Sequence, residues 1–128
     1  MELEVINPAT GKVIGKVQAD DMNSIERKYK AARAAQPAWQ KLGLKARLEI
    51  LKKFRDRVEK DIEEAALTLT RDTGKPISQS RNELKGLLAR FDFFLAETEK
   101  TVATETVLKD GAALVEEIEH EPLGVIAN

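Results

Sequence analysis

The longest regular pattern of apolar and polar residues extends from Asp21 to about Ala103 and has the period of an α-helix. Apolar residues recur there every three or four positions, which places them on one face of a helix. Breaks in the pattern divide the region into four amphipathic helices. We expect these helices to pack together through Leu48, Leu51, Phe54, Val58, Leu69, Leu84, Leu88 and Phe91.

Capping and breaking residues predict the limits of the first helix. Asp21 or Asn23 can cap its N-terminus, because a short side-chain oxygen accepts a hydrogen bond from a backbone N–H that has no partner within the helix. Pro37 lacks a backbone N–H, so we expect it to disrupt this helix. That would place Trp39 in the segment that connects the first helix to the second.

Similar residues predict where the third helix ends and where two helices begin. Gly74, followed by lysine and proline, is typical of a helix C-terminus, since glycine adopts the left-handed backbone that ends a helix. Asp61 with Glu64 has the three-residue spacing of a capping box, so we expect the third helix to begin there. Ser80 with Glu83 repeats that spacing and predicts the start of the fourth helix.

Both ends of the chain have patterns that are typical of strands. Leu3–Ile6 and Lys12–Gln18 alternate β-branched with polar residues on either side of a Pro8–Gly11 turn, which predicts a β-hairpin. Leu114–Glu119 alternates loosely, and Gly124–Ala127 is a short apolar run of the kind that forms a buried parallel strand. Such a strand needs neighbouring strands and covering helices, which these 128 residues do not supply. The sequence therefore predicts part of a larger domain.

Composition and charge exclude several kinds of site within these residues. The 21 basic and 22 acidic residues nearly cancel, which removes the electrostatic basis for binding nucleic acid. No apolar run approaches the roughly 18 residues of a membrane span. The absence of cysteine excludes a disulfide, a cysteine-based zinc site and a thiol nucleophile. It also fits a cytoplasmic location, which we expect for the protein.

Two local features admit both a binding interpretation and a purely structural one. The stretch RDTGKPISQSRNEL suggests a phosphate loop, but Pro76 occupies the place of the magnesium-binding hydroxyl and the glycine spacing is absent. A helix end, a turn and a second helix start account for it. Phe91, Phe93 and Phe94 could line an apolar ligand channel, and contact within the helix core is the favoured alternative.

Four stretches occur in a fixed order along the chain: INPATGKVIGKV, AARAAQPAWQKLGLKARLEILKKFRDRVEK, TRDTGKPISQSRNEL and EIEHEPLGVIAN. In this order they closely resemble the N-terminal segment of the aldehyde dehydrogenase superfamily, over essentially the whole chain from Ile6 to Asn128. The compact start, with the Asn-Pro turn so near Met1, most resembles the short bacterial branch that includes succinate-semialdehyde dehydrogenases.

The resemblance implies a fold and a division of the chain. The fold would be an α+β fragment of a larger α/β enzyme. Residues 1–20 would form the N-terminal β-hairpin, and residues 21–103 would form the helical region. Residues 104–122 resemble strands of the family's oligomerisation arm. Residues 123–128 resemble the start of a truncated cofactor-binding domain, with the first strand of its sheet.

The resemblance also implies a function. Family members oxidise aldehydes to carboxylic acids with NAD or NADP, through a cysteine nucleophile and a glutamate that activates water. It places those residues, and the cofactor-binding ones, outside residues 1–128. The chain would then be the N-terminal portion of such an enzyme, with no catalytic or cofactor-binding residue, no bound cofactor and no activity alone. The alternative is a non-catalytic helical interaction module that binds a partner chain through its strand edges.

A cation site is a further implication of the resemblance. Asp72, immediately before Thr-Gly-Lys-Pro, matches an acidic position that in some relatives binds a structural K⁺ or Na⁺ ion. The main-chain carbonyls of Val5 and Ile6 would complete the site, since a carboxylate with carbonyl oxygens suits a hard cation. The alternative is that Asp72 is a solvated residue at the end of a helix.

Two last expectations concern the substrate and the partners. The fourth helix flanks the aldehyde entrance in relatives, so three of its residues are expected to face that tunnel: Ser80, Leu84 and Leu88. The expected partners are the remainder of the dehydrogenase chain and other copies of this segment, which would associate through the edges of Leu3–Ile6 and Leu123–Ala127. We expect no nucleic acid or membrane partner.

Overall fold

The computed structural model describes residues 1–111 and 114–127, in which strands lie on both sides of a helical middle region. Along the chain the elements are β1 (Glu2–Ile6), β2 (Val13–Gln18), α1 (Met22–Lys41), α2 (Gly43–Lys60), α3 (Ile62–Thr73), α4 (Ile77–Thr101), β3 (Glu105–Asp110) and β4 (Leu114–Ile118). Within these ranges, four helices are flanked by an N-terminal hairpin and a C-terminal strand pair, which confirms the predicted α+β class. None of the described helices combines the length and apolarity needed to cross a membrane.

The N-terminal hairpin forms where the alternating pattern predicted it. β1 pairs antiparallel with β2, from Glu2 opposite Gln18 to Ile6 opposite Val13, with a shift in register after Val5. Each arm differs from the prediction by one residue, since β1 begins at Glu2 and β2 at Val13. Among the described strands, β1 and β2 pair only with each other, so each has an unpaired edge.

Helix α1 begins at a predicted cap and continues past the predicted break. The Asp21 carboxylate accepts a hydrogen bond from the Ser24 backbone N–H at 2.7 Å, and the Ser24 hydroxyl accepts one from the Asp21 N–H at 2.9 Å. Pro37 lies inside the helix and Trp39 lies in its last turn, so the prediction that Pro37 disrupts it was wrong. Proline removes one backbone hydrogen bond, whereas the alanines before it have the highest helix propensity of any residue. The break comes only at the junction with α2.

The junction of α2 and α3 lacks the predicted capping box. Asp61 has φ −101° and ψ 19° rather than the extended backbone of an N-cap, and its side chain makes no capping hydrogen bond. Its carboxylate instead accepts a hydrogen bond from Arg57, four residues earlier. The prediction that Asp61 and Glu64 form a box was therefore wrong, because α2 continues into α3 with a single residue between them.

The prediction that Ser80 and Glu83 form a capping box was also wrong, since α4 begins three residues before Ser80. Pro76 stands at the N-cap position, and its fixed φ of −58° suits the start of a helix, so Ile77 is the first helical residue. Ser80 is buried in the first turns, where its hydroxyl oxygen lies 2.8 Å from that of Thr70 in α3. The Glu83 carboxylate binds a lysine ammonium instead of a backbone N–H.

The least exposed residues lie on α3 and α4, which pack against each other. Ala66 and Ser80 are fully buried, and Leu88 is 8% exposed. Several members of the predicted core are half-buried: Leu48, Val58, Leu69, Leu84 and Phe91. Leu51 and Phe54 are exposed, at 41% and 54%, so their predicted burial was wrong. The pattern identifies the apolar face of α2, but the described residues cover only part of that face.

Two arginine–carboxylate pairs hold α4 against its neighbours. Arg55 of α2 donates to both oxygens of Asp92 in α4, at 2.8 and 3.2 Å. Arg81 of α4 donates to both oxygens of Glu63 in α3, at 2.8 to 3.1 Å. These hydrogen bonds lower the pKa of the Glu63 carboxyl. Because both pairs are bidentate, they fix the orientation of the helices as well as their separation.

The C-terminal strands form a second hairpin, in which β3 pairs antiparallel with β4 from Glu105 opposite Ile118 onwards. Its apolar side chains are exposed on the described strands. The predicted strand Gly124–Ala127 does not form, because a strand requires a hydrogen-bonded neighbour and no described strand lies beside this segment. Asn128, the last residue of the predicted 123–128 segment, lies outside the described residues.

Replacing Leu88 by alanine should destabilise the fold more than replacing Phe54. Leu88→Ala removes a buried side chain from α4, and we expect a loss of about 2–4 kcal/mol in unfolding free energy. Phe54 is half exposed, although its ring centroid lies 5.6 Å from that of Phe91, so we expect about 1–2 kcal/mol for Phe54→Ala. Equilibrium unfolding in urea measures both losses, and a larger loss for Phe54→Ala would contradict this assignment of the core.

Candidate functional site

The Asn-Pro turn between β1 and β2 is held by its first residue. The Asn7 side-chain oxygen accepts hydrogen bonds from the backbone N–H groups of Ala9 and Thr10, at 2.9 and 3.2 Å. The Asn7 carbonyl accepts a further one from Gly11 at 2.8 Å. A side chain that bonds the backbone two and three residues ahead fixes the turn locally. The turn therefore has a defined shape at the end of the hairpin.

This turn lies directly on Gly74, which ends α3. Gly74 has a φ of 74°, and its N–H donates to the Thr70 carbonyl at 2.9 Å, which confirms the predicted helix end. A Cβ at Gly74 would lie 2.8 Å from Pro8 Cγ and 3.3 Å from the backbone nitrogen of Ala9. The Asn-Pro and Thr-Gly-Lys-Pro stretches, far apart in sequence, are therefore in direct contact, with no room for a side chain between them.

Two of the three predicted cation-binding residues lie in one cleft. Val5 and Asp72 line a cleft of about 720 Å³ between the hairpin and α3, together with the carboxylates of Asp61 and Glu64 and with two basic residues. Ile6, the next residue of β1, is about half exposed. In the described part of the chain, no group of three or more His, Cys, Asp or Glu side chains is arranged to hold a metal ion. The site formed by Asp72 and two main-chain carbonyls stays a prediction.

The predicted tunnel residues lie on one side of α4, spaced four residues apart. Ser80 is fully buried against Thr70 of α3, Leu84 is half-buried, and Leu88 is almost fully buried. The structure therefore places the three residues on the covered part of α4, and Ser80 among them contacts α3. Their part in an aldehyde tunnel stays a prediction.

A second cleft, of about 810 Å³, lies between the end of α1, α2 and α4. Phe91 and Phe94 line it, and Phe94 is 61% exposed. Packing between helices therefore accounts for the partial burial of Phe91, because its ring contacts that of Phe54. It does not explain the position of Phe94, which stays exposed. The sequence analysis considered an apolar channel lined by Phe91, Phe93 and Phe94 and favoured contact within the helix core. Phe91 and Phe94 line this cleft, and Phe93 is not among the lining residues described for it.

The carboxyl groups with shifted pKa values lie in exposed ion pairs. A hydrogen bond from Lys28, with a second from Ser24, lowers the pKa of Asp20. Arg81 lowers the pKa of Glu63 in the same way. Neither carboxyl lines the two clefts described above. Both pairs are exposed ion pairs of the kind that orients surface side chains.

The fold and the junction define an α+β segment in which an Asn-Pro turn holds a hairpin against a helical layer. The model of the aldehyde dehydrogenase family matches residues 1–128. The chain belongs to the aldehyde dehydrogenase family.

Individual relatives agree with this membership. The chain is 33% identical, over 125 residues, to 3,6-anhydro-alpha-L-galactose dehydrogenase of Streptomyces coelicolor, an alignment that covers 98% of this chain and 25% of the relative. It is similar to the crystal structure of succinate-semialdehyde dehydrogenase from Burkholderia pseudomallei, with a TM-score of 0.79 and 31% identity over 88% of this chain and 23% of that one. It is also similar to PnpE in complex with nicotinamide adenine dinucleotide, with a TM-score of 0.79 and 30% identity over 86% and 23% of the two chains. The chain spans about a quarter of the length of these relatives.

Replacing Gly74 by alanine tests the junction of the two loop motifs. The alanine must adopt a left-handed φ, which costs about 1–2 kcal/mol. Its Cβ must also displace the Pro8 ring, with which it would otherwise collide. We therefore expect Gly74→Ala to lose roughly 2–4 kcal/mol of unfolding free energy, measured by equilibrium unfolding in urea.

Two other glycines provide matched controls. Gly11 has a φ of 70° but nothing lies within 4 Å of a Cβ there, so Gly11→Ala should lose only about 1–2 kcal/mol. Gly86 lies inside α4 with equally open space, so Gly86→Ala should gain about 0.5–1 kcal/mol. Equal losses at Gly74 and Gly11 would show that the close approach of Pro8 contributes nothing to stability.

Proposed function

We propose that residues 1–128 are the N-terminal segment of an NAD- or NADP-dependent aldehyde dehydrogenase of the succinate-semialdehyde dehydrogenase type, which oxidises an aldehyde to a carboxylic acid. The observation that carries the proposal is the family match over residues 1–128, in a chain that spans about a quarter of its relatives. The similarity to the Burkholderia succinate-semialdehyde dehydrogenase supports the choice of branch.

In this proposal the segment supports chemistry that takes place elsewhere in the enzyme. The 128 residues contain no cysteine, so the thiol nucleophile expected in this family would belong to the remaining chain. The bound nicotinamide cofactor would supply the acceptor for the hydride. The complex of PnpE with nicotinamide adenine dinucleotide supports that class of cofactor. The segment itself supplies a hairpin and a helical layer, joined where Pro8 lies against Gly74.

The proposal includes a K⁺ or Na⁺ ion at Asp72, with the main-chain carbonyls of Val5 and Ile6. Its support is that Val5 and Asp72 line the same cleft and that oxygen ligands suit such cations. K⁺ should raise the thermal midpoint of the protein relative to tetramethylammonium, and Asp72→Asn should remove that rise. Equal midpoints in the two salts would contradict the site.

The proposed partners are the remainder of the enzyme and further copies of the segment, and neither nucleic acid nor a membrane is among them. The support is that each described sheet has two strands, and so two strand edges, and that the apolar side chains of β3 and β4 are exposed. Unpaired N–H and C=O groups along an edge readily recruit another strand. A cytoplasmic location stays a prediction of the sequence.

The isolated chain should form no reduced nicotinamide cofactor from a panel of short aldehydes, because it has no thiol nucleophile. The complete coding sequence should continue into a region that contains a cysteine, and the enzyme it encodes should reduce NAD or NADP with an aldehyde. Absorbance of the reduced cofactor measures both activities. A stop codon directly after Asn128 would contradict the proposal and favour the non-catalytic interaction module, and reduction by the isolated chain would contradict the assignment of the nucleophile.

The isolated chain should also associate with itself, as a dimer or a larger assembly, because every copy offers the same strand edges. Light scattering after size-exclusion chromatography measures the mass, and amide hydrogen exchange reports on the terminal segments. A strict monomer at high concentration, with slow exchange in Leu3–Ile6, would show that the edges are satisfied within one chain.

A further inference from the structure

Strand β3 ends in an Asp-Gly dipeptide, Asp110–Gly111. It is the one place in the 128 residues where an aspartate or an asparagine is followed by glycine. Glycine has no Cβ, so its backbone nitrogen is open to approach by the side chain of the residue before it. An aspartate in this sequence can therefore react with its own backbone.

The structure leaves both residues of this dipeptide accessible. Asp110 is the last residue of β3 and belongs to the last pair of the strand ladder, opposite Leu114. Gly111 is a turn residue with a φ of 56°, and nothing lies within 4 Å of a Cβ at its position. Both residues are exposed, so water reaches them. The end of a strand pair opens at little cost in free energy, because few contacts hold it.

Other residues of the same chemistry are held by regular structure. Asp72 and Asp92 lie inside α3 and α4, where the backbone N–H of each residue donates to the carbonyl four residues earlier. Asn23 is followed by Ser24, whose N–H donates to the Asp21 carboxylate at 2.7 Å. A backbone nitrogen that is held in this way does not reach the side chain before it. These residues therefore serve as internal controls.

We propose that Asp110 is a site of spontaneous isoaspartate formation, and that this change in the backbone loosens the pairing of β3 with β4. The Gly111 backbone nitrogen attacks Cγ of the protonated Asp110 carboxyl. An N–C bond forms, and the hydroxyl leaves with the proton of the nitrogen as water, which gives a cyclic succinimide. Nothing is oxidised or reduced in this step, and it needs no co-reactant.

Water then opens the succinimide at either of its two carbonyl carbons. Addition at Cγ restores aspartate. Addition at the main-chain carbonyl of Asp110 breaks the original peptide bond and leaves isoaspartate, in which the chain continues through Cγ and the former main-chain carbonyl becomes the free carboxylate. The Asp110 Cβ is then part of the backbone, so the path from β3 to β4 is longer by one carbon atom.

The longer path acts directly on the hairpin. Loop length determines which residues of two antiparallel strands face each other, and the pairs nearest to the change are Asp110 with Leu114 and Lys109 with Val115. In the described residues this sheet has only two strands, and a hairpin of two strands is marginally stable. The inference concerns the backbone of this chain and is independent of the proposed function.

Ageing the complete protein in heavy-oxygen water at neutral pH tests the chemistry. Each passage through the succinimide takes up one oxygen atom from the solvent, so mass spectrometry should find heavy oxygen in the peptide that contains Asp110 but not in those that contain Asp72 or Asp92. A protein-isoaspartate methyltransferase with labelled S-adenosylmethionine measures the isoaspartate itself. We expect the rate in the folded protein to lie within about tenfold of the rate in a free peptide of sequence LKDGAALV, because the end of a strand pair opens readily.

Asp110→Glu is the variant that separates this chemistry from other ageing. It keeps the negative charge, but its longer side chain would have to close a larger and less favourable ring, so oxygen uptake and methylation at this site should be lost. Asp56→Glu makes the same change on the exposed surface of α2 and should leave the uptake at Asp110 unchanged. Ageing should speed amide hydrogen exchange in β3 and β4 of the native protein and leave that of Asp110→Glu as it was.

Three results would overturn the inference. The first is an absence of heavy oxygen at Asp110 in the protein under conditions in which the free peptide takes it up, because the protein would then protect the dipeptide. The second is uptake that persists in Asp110→Glu. The third is isoaspartate at Asp110 with unchanged amide exchange in β3 and β4. None of these results involves aldehyde oxidation, so each leaves the proposed function to its own test.

Discussion

The close packing of α3 against α4 is the contact on which the other described contacts depend. It is possible because the side chains at the interface are small: Ala66 and Ser80 are fully buried, and bulkier residues would hold the helices apart. The Ser80 hydroxyl lies 2.8 Å from that of Thr70, which matters because a buried hydroxyl without a partner is costly. Once α3 and α4 are placed in this way, the position of Gly74 between them is fixed, and so is the surface that receives Pro8.

One side of the helical layer, the closed side, contacts the Asn-Pro turn. Another side, the open side, exposes apolar side chains to solvent. On the closed side, the turn contacts the end of α3, and Arg81 of α4 binds Glu63 of α3. On the open side, Phe54, Phe94 and Trp39 keep a large part of their surface in solvent. An independent domain of this size would be expected to cover such residues, because apolar burial is the main favourable term in folding. The proposed place of the segment within a larger dehydrogenase accounts for both sides, since the open one would then be internal.

Two features of local backbone chemistry could be predicted from the sequence, whereas the break at Pro37 and two capping boxes could not. The cap at Asp21 and the helix end at Gly74 act through residues only a few positions away, so their patterns are independent of the rest of the fold. The spacing of Ser80 and Glu83 led to the wrong prediction of a capping box, because tertiary contacts determine which hydrogen bonds a serine side chain makes. Ser80 is buried against α3. The exposure of Phe54 could not be predicted, since periodicity identifies an apolar face but not what covers it. Every residue has a main-chain carbonyl, so the sequence alone could not identify the carbonyl ligands of the cation site, and that prediction came from the resemblance.

The order of the elements has a consequence for how the chain acquires its structure. In the described residues each strand pairs with its neighbour in sequence, β1 with β2 and β3 with β4, and α3 packs on the helix that follows it. Contacts between sequence neighbours close short loops, and chains rich in them fold rapidly. During synthesis, each of these pairs can complete its hydrogen bonds soon after it leaves the ribosome. In the proposed dehydrogenase, the first part of the enzyme would thus acquire its shape while the rest is still being translated, and would present a preformed template to the chain that emerges after it.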